Sequence, residues 1–179
     1  MLLLTIGYGA ACLAGQDEDG TLALMAALPI RRRAIVLQKA GAMALQALLL
    51  AVAVTACVFA GRGFQLAVDP GNAVTVAVAL TLMGVDFGLA TMAVGAATGR
   101  RGTALGAGTS LAAASYLLSS LATTIAAIRP GRYLSLFYWS AGNDQISEGV
   151  SAADFTVLIA AGLCALIAAV GAFRRADLH

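Results

Sequence analysis

"ALTLMGVDFGLATMAVGAATGRRGTALGAG", residues 79–108, decides the fold class. Apart from Asp86 it carries no charge until Arg100 and Arg101, after which the apolar, small-residue pattern resumes. It shows neither the alternation of a membrane β-strand nor the polar stripe of a soluble helix. Lipid offers no partner to backbone N–H and C=O groups, so a run like this crosses a bilayer only as a helix. The two arginines then mark a tight turn between two spans.

Outward from this stretch the same pattern repeats. A span needs about 20 apolar residues, and the segments 40–60, 72–98, 103–128 and 153–173 supply them. Residues 1–14 form a further apolar run, too short to cross alone, which reads as the tail of a span whose beginning is absent. The whole chain agrees, with 60% hydrophobic and 11% charged residues and a mean hydropathy of +0.89. Soluble domains carry about 25% charged residues. The expectation is an all-α polytopic membrane protein forming a single transmembrane domain over residues 1–179.

Charge sets the orientation. Arg31, Arg32, Arg33, Lys39, Arg100, Arg101, Arg174 and Arg175 fall on one side of the spans, and Arg62, Arg129 and Arg132 on the other. The positive-inside rule places the richer side in the cytoplasm. The joint 15–39, the Arg100–Arg101 turn and the C-terminus are then cytoplasmic, and the N-terminus as given and the segment 129–152 are external. The expected location is the plasma membrane, crossed several times.

Several function classes are excluded at this level. A net charge of +2 without a basic, aromatic-studded stripe does not suit nucleic acid. Cys12, Cys57 and Cys164 lie far apart in apolar runs and read as small buried hydrophobes, with no metal spacing. The one histidine is the terminal His179, which leaves no histidine-based catalysis. The one lysine, Lys39, follows Gln38, so no phosphate-cradling GxxxxGK[ST] loop exists and this chain is expected to bind no ATP by that route. The N-terminus lacks a basic n-region and an AxA-type site, so a cleaved signal peptide is not expected.

Three places could carry function. In "GQDEDGTLALMAALPIRRRAIVLQK" (15–39), Asp17, Glu18 and Asp19 suit a helix N-terminus and Thr21 could cap it. The apolar run Leu22–Leu28 follows, Pro29 stops or kinks it, and Arg31, Arg32 and Arg33 sit at headgroup level. The segment reads either as a connector or as a docking handle for a cytoplasmic partner. Second, Asp86 lies mid-span, where a charge costs about 2.5–3.5 kcal/mol on insertion scales. It is either a structural acid bonded to Ser, Thr or Arg on a neighbouring helix or a lining residue of a translocation path. Gly84 with Gly88, and Gly95 with Gly99, have the GxxxG spacing of close helix contacts. Along the span 103–128 run Ser110, Ser115, Ser119, Ser120, Thr123 and Thr124. They either bond the preceding turn of their own helix or a neighbour, or, for Ser115, Ser119 and Thr123, join Asp86 along the path. Third, Pro130 and Gly131 break the helix before Tyr133, Phe137, Tyr138 and Trp139, which reads as a short external helix lying at the membrane surface. A polar loop with Asn143, Asp144 and Glu148 follows it.

The order of these features resembles ABC-2 type transporter permeases. Glu18, Gly20, Thr21, Leu22, Pro29, Arg31 and Lys39 stand where that family has its segment between the second and third spans. Residues 79–108 look like its fourth and fifth spans with their tight cytoplasmic turn. "RYLSLFYWSAGNDQISEG" (132–149) looks like the external segment before its last span, with Leu136 where the family often has Pro. The resemblance covers nearly the whole chain and implies a type V exporter-like transmembrane domain. Against the family's six spans the first is missing here and the second truncated, and Asp86 is not a family feature. The implied function is a permease subunit exporting a hydrophobic or amphipathic compound, such as a drug, antibiotic or lipid-like molecule. Its implied partners are a second permease half, in a homo- or heterodimer, surrounding membrane lipids, and a separate ABC ATPase subunit that holds ATP and Mg. Residues 16–34 would couple to that ATPase. Leu22, Leu24, Met25 and Leu28 would make the contact, and Asp17 to Asp19 and Arg31 to Arg33 would set its orientation. From other classes come a non-transporting scaffold or accessory subunit, and an ion-coupled carrier using Asp86.

Overall fold

Asp69 and Pro70 start the helix on which the rest of the chain is assembled. In the computed structural model, which describes residues 1–18, 32–61, 69–125, 131–142 and 149–175, every regular element is helical and no strand occurs among the described residues. In chain order they are α1 (Leu2–Ala10), a π-helical turn (Ala11–Gly15) and α2 (Gln16–Glu18). The long helices α3 (Arg32–Gly61), α4 (Pro70–Thr98) and α5 (Arg101–Thr124) follow, then the short α6 (Leu136–Ala141) and α7 (Ala152–Arg175). Helices α3, α4, α5 and α7 are long and apolar enough to cross a membrane. The chain is accordingly a helical protein of multi-pass membrane type.

Both ends of α4 are locally specified. Asp69 is extended, and its carboxylate accepts the Asn72 backbone N–H at 3.4 Å. Pro70 fills the first helical position, where a missing N–H matters least. At the far end Gly99 takes the left-handed conformation (φ 63°) and donates its N–H to the Gly95 carbonyl at 2.9 Å. Gly99 therefore caps the helix rather than extending the GxxxG contact expected from its spacing with Gly95. Arg100 is extended, and α5 starts directly after it.

Helix α4 is the hub, touching α1, α3, α5, α6 and α7. Of its most apolar stretch 44% is buried, against 17% in each of the other three long helices. Those three present exposed apolar rows instead, among them Leu45, Leu48, Leu49 and Val52 on α3, Leu117 and Leu121 on α5, and Ile159, Leu163 and Ile167 on α7. In lipid, apolar surface alone does not drive helices together, so close packing and small residues must do so. The core divides into two layers. One joins Cys12 and Leu13, Ile35, Val36 and Met43 of α3, Leu89 and Met92 of α4, and Ala169 and Phe173 of α7. The other joins Ile6 of α1, Ala79, Met83 and Phe87 of α4, and Leu158 of α7, with Leu136 and Phe137 of α6 against them.

The N-terminal helix is part of this core. Ala10, Leu13 and Ala14 are at most 1% exposed. It runs parallel to the second half of α4 at a nearly constant offset. Met1 and Thr5 lie at Gly84, Thr5 and Gly9 at Gly88, and Ala14 at Gly95. A Cβ on Gly9 would collide with the Gly88 backbone, and one on Gly88 would meet Met43 Sδ at 2.5 Å and the Thr5 carbonyl at 2.9 Å. The glycines bring the backbones together.

Helix bounds differ from the apolar runs in instructive ways. Helix α3 begins at Arg32, ahead of residue 40, because Ile35 and Val36 are buried in the core while Arg33 and Leu37 face outward. Residues 32–39, expected within the cytoplasmic joint, are thus the first turns of a long helix. Helix α5 ends at Thr124 rather than at residue 128.

Candidate functional site

The cation-rich end of the bundle is organised by one acid. Glu18, at the end of α2, accepts the backbone N–H of Arg101 through Oε1 at 2.9 Å. That N–H belongs to the first turn of α5, where helices leave donors without internal partners and favour negative charge. Gly15 lies against the Arg101 side chain. The start of the proposed docking segment is thereby fastened to the α4–α5 turn, 83 residues away in sequence. Arg33, Arg100, Arg101, Arg174 and Arg175 are exposed at this end. Of the other expected docking residues, Asp19, Gly20, Thr21, Leu22, Leu24, Met25, Leu28, Pro29 and Arg31 lie outside the described residues, as do the side chains of Asp17 and Arg32. The capping role expected for Glu18 on its own segment is instead a bond to another helix.

Asp86 sits at the boundary of the two core layers, between Val85, which packs on one, and Phe87, which belongs to the other. It is 4% exposed. Gly162 of α7 makes room for it, since a Cβ there would stand 2.5 Å from Oδ1. Among the described residues no Ser, Thr or Arg donates to this carboxylate, and Oδ2 is enclosed without a hydrogen-bond partner. The structural acid bonded to a neighbouring helix, one of the two roles expected for Asp86, is therefore not what the geometry shows. Nearby threonines illustrate the contrast. Thr81 and Thr91 bond the carbonyls of Ala77 and Phe87 at 2.7 Å each and so satisfy themselves within α4. A carboxylate has no donor to offer its own helix.

The hydroxyls of α5 do not converge on Asp86. Ser115 pairs with Ser135, the residue before α6, at 3.0 Å, and Ser135 Oγ also donates to the Ser115 carbonyl at 2.7 Å. Thr123 bonds the Ser120 carbonyl at 2.6 Å and is exposed, and Ser119 is half-buried between them in sequence. Ser115 acts as an anchor for the residues leading into α6.

The short helix expected in this segment is α6, and one side of it packs into the bundle. Ser135 and Ser140 are fully buried, and Ser140 Oγ contacts Met83 Sδ at 2.9 Å. Phe137 turns inward between Phe87 (5.9 Å between centroids) and Tyr116 (5.5 Å). Only one side of the cluster, Tyr133, Tyr138 and Trp139, stays at the rim. There Arg132 lies over the Tyr133 and Tyr138 rings, 5.0 and 4.8 Å from their centroids. The hydrogen bond from Arg132 to the Tyr133 hydroxyl pushes its pKa above the usual value and keeps the guanidinium charged. Sequence showed an aromatic run; the inward Phe137 could have been singled out as its one ring without a polar atom.

At this same end α3 and α4 part. Val54, Thr55 and Val58 face Asn72, Ala73, Val76, Ala77 and Leu80 across an apolar groove enclosing roughly 610 Å³ with its open mouth. Among the described residues no group of three His, Cys, Asp or Glu side chains could hold a metal. No family model, no curated protein and no solved structure matches the chain.

Proposed function

We propose that the chain is the membrane permease subunit of an ABC-2 type exporter, moving a hydrophobic or amphipathic compound and driven by a separate ATPase that docks on residues 16–34. The observation that carries this reading is the bond from Arg101 N–H to Glu18. It joins the docking segment to the first turn of α5, while the Gly9–Gly88 contact joins the helix before that segment to α4. A displacement of residues 19–31 would therefore reach the two central helices together. The apolar groove between α3 and α4 supplies a lateral surface of the right chemistry for such a compound. The cation-rich end faces the cytoplasm in this reading.

The test is co-purification with an ATPase subunit and measurement of substrate-stimulated ATP hydrolysis. Leu24→Asp with Met25→Asp should abolish coupling while membrane insertion is retained; unchanged coupling would sink the proposal. Asp86 supports a second reading, an ion-coupled carrier, because the residue is buried and its Oδ2 has no hydrogen-bond partner among the described residues. That reading requires transport to survive ATP depletion and to be lost in Asp86→Asn.

A further inference from the structure

At the rim opposite the cation-rich end, Arg132 is a guanidinium held ready for an anion. Among the described residues its five N–H donors have a single acceptor, the Tyr133 hydroxyl at 3.1 Å, which leaves four without one. One of those, on Nε, is enclosed without a partner. Among the described residues no carboxylate pairs with Arg132, whose neighbours are the rings of Tyr133 and Tyr138. The rings are fixed in turn. Tyr133 and Tyr138 meet edge to face at 5.3 Å, Tyr138 and Trp139 likewise at 5.3 Å, and Trp139 donates its indole N–H to the Tyr133 carbonyl at 2.9 Å. A stacked, planar guanidinium is weakly hydrated and pre-organised for two-point bonding to an oxyanion, which a lysine could not reproduce.

The geometry points to a phosphate-binding site at this rim, formed by Arg132 on its aromatic platform, with a membrane phospholipid as the phosphate's source. The surroundings favour the lipid over a soluble phosphate. Leu134 (83% exposed) stands two residues from the guanidinium, and Tyr116 (57% exposed) rises beside the same segment through its contact with Phe137. Acyl chains thus have an apolar track next to the charge, and Tyr and Trp at a span's end mark headgroup depth. The site does not depend on the permease reading, only on the chain lying in a membrane.

Trp139 is the only tryptophan, so its fluorescence reports this site alone. The full chain, purified in a phosphate-free maltoside detergent, is titrated with short-chain phosphatidylglycerol, with the matching diacylglycerol and with inorganic phosphate. The expected result is a saturable change with phosphatidylglycerol, none with diacylglycerol, and at least tenfold weaker binding of inorganic phosphate. Arg132→Gln should weaken the lipid at least tenfold, and Arg132→Lys should weaken it measurably despite keeping the charge. Helix content from circular dichroism, unchanged in both variants, excludes misfolding as the cause; if it falls, Tyr138→Leu, which removes one supporting ring, must weaken binding instead. Equal responses to phosphatidylglycerol and diacylglycerol, or an unaffected Arg132→Gln, would overturn the site and leave an aromatic belt. A response to inorganic phosphate as tight as to the lipid would overturn the lipid as its source.

Discussion

The second half of α4 is held against α1 and α3 by the close contacts of Gly88 and against the π-helical turn and α5 at Gly95, whereas its first half faces α3 across an open groove. The same pair of helices, α3 and α4, is thus tightly locked at Met43 and separated at Val54, Val58 and Val76. A bundle that converges at one end and opens at the other can transmit force at the closed end and change shape at the open one. At the closed end Met43 lies directly on Gly88, where the missing side chain lets the two helices approach.

Substitutions can break that asymmetry in a graded way. The largest effect should come from Gly88→Val, whose branches would have to displace the Met43 side chain and the Thr5 carbonyl together. Overpacking against a backbone should cost about 3 kcal/mol or more, read as loss of the folded species in SDS titration from mixed micelles. Next comes Gly162→Ala, which presses on Asp86 Oδ1. It should destabilise by about 1–2 kcal/mol, and the penalty should vanish in an Asp86→Ala background. A penalty that persisted there would show that Asp86 does not fill the space at Gly162. Glu18→Ala removes the acceptor of the Arg101 N–H and should cost about 1 kcal/mol. Hydrogen exchange should show faster exchange at the Arg101 amide, with the α1–α4 seam unchanged. The smallest effect belongs to the open end. Ala77→Leu projects into the groove and should shift thermal stability by no more than about 0.5 kcal/mol. A large loss there would mean that the groove is packed shut, and the contrast between the two ends would fail.

The spans were legible in the sequence because lipid imposes a length and a polarity that no partner can relax. The Arg100–Arg101 turn was legible for the same reason, as charge is confined to the ends. What stayed hidden is which face of each helix meets which neighbour. Residues 1–14 look too short to matter when judged by length, yet Leu13 and Ala14 are among the most buried residues because they pair with Gly95 and its neighbours. Gly95 and Gly99 share a spacing but not a role, since φ at Gly99 is set by the turn beyond it. Glu18 was singled out for charge, but its partner is 83 residues away, and only the fold brings them together. At Asp86 the sequence revealed an acid out of place, and the structure adds that no neighbour among the described residues bonds its Oδ2.

The π-helical turn at Ala11–Gly15 gives the chain length between Gly9 and Glu18 a meaning of its own. A π turn accommodates one residue more than the α-helical path it replaces. Deleting one residue between Ala11 and Gly15 would therefore let the helix revert to regular winding with Gly9 still on Gly88 and Glu18 still at the first turn of α5. The flanking α-helical turns have no such slack, and a one-residue deletion in α1 would rotate everything after it by about 100°. When related chains are aligned, a one-residue gap in Ala11–Gly15 should therefore weigh less than one in α1.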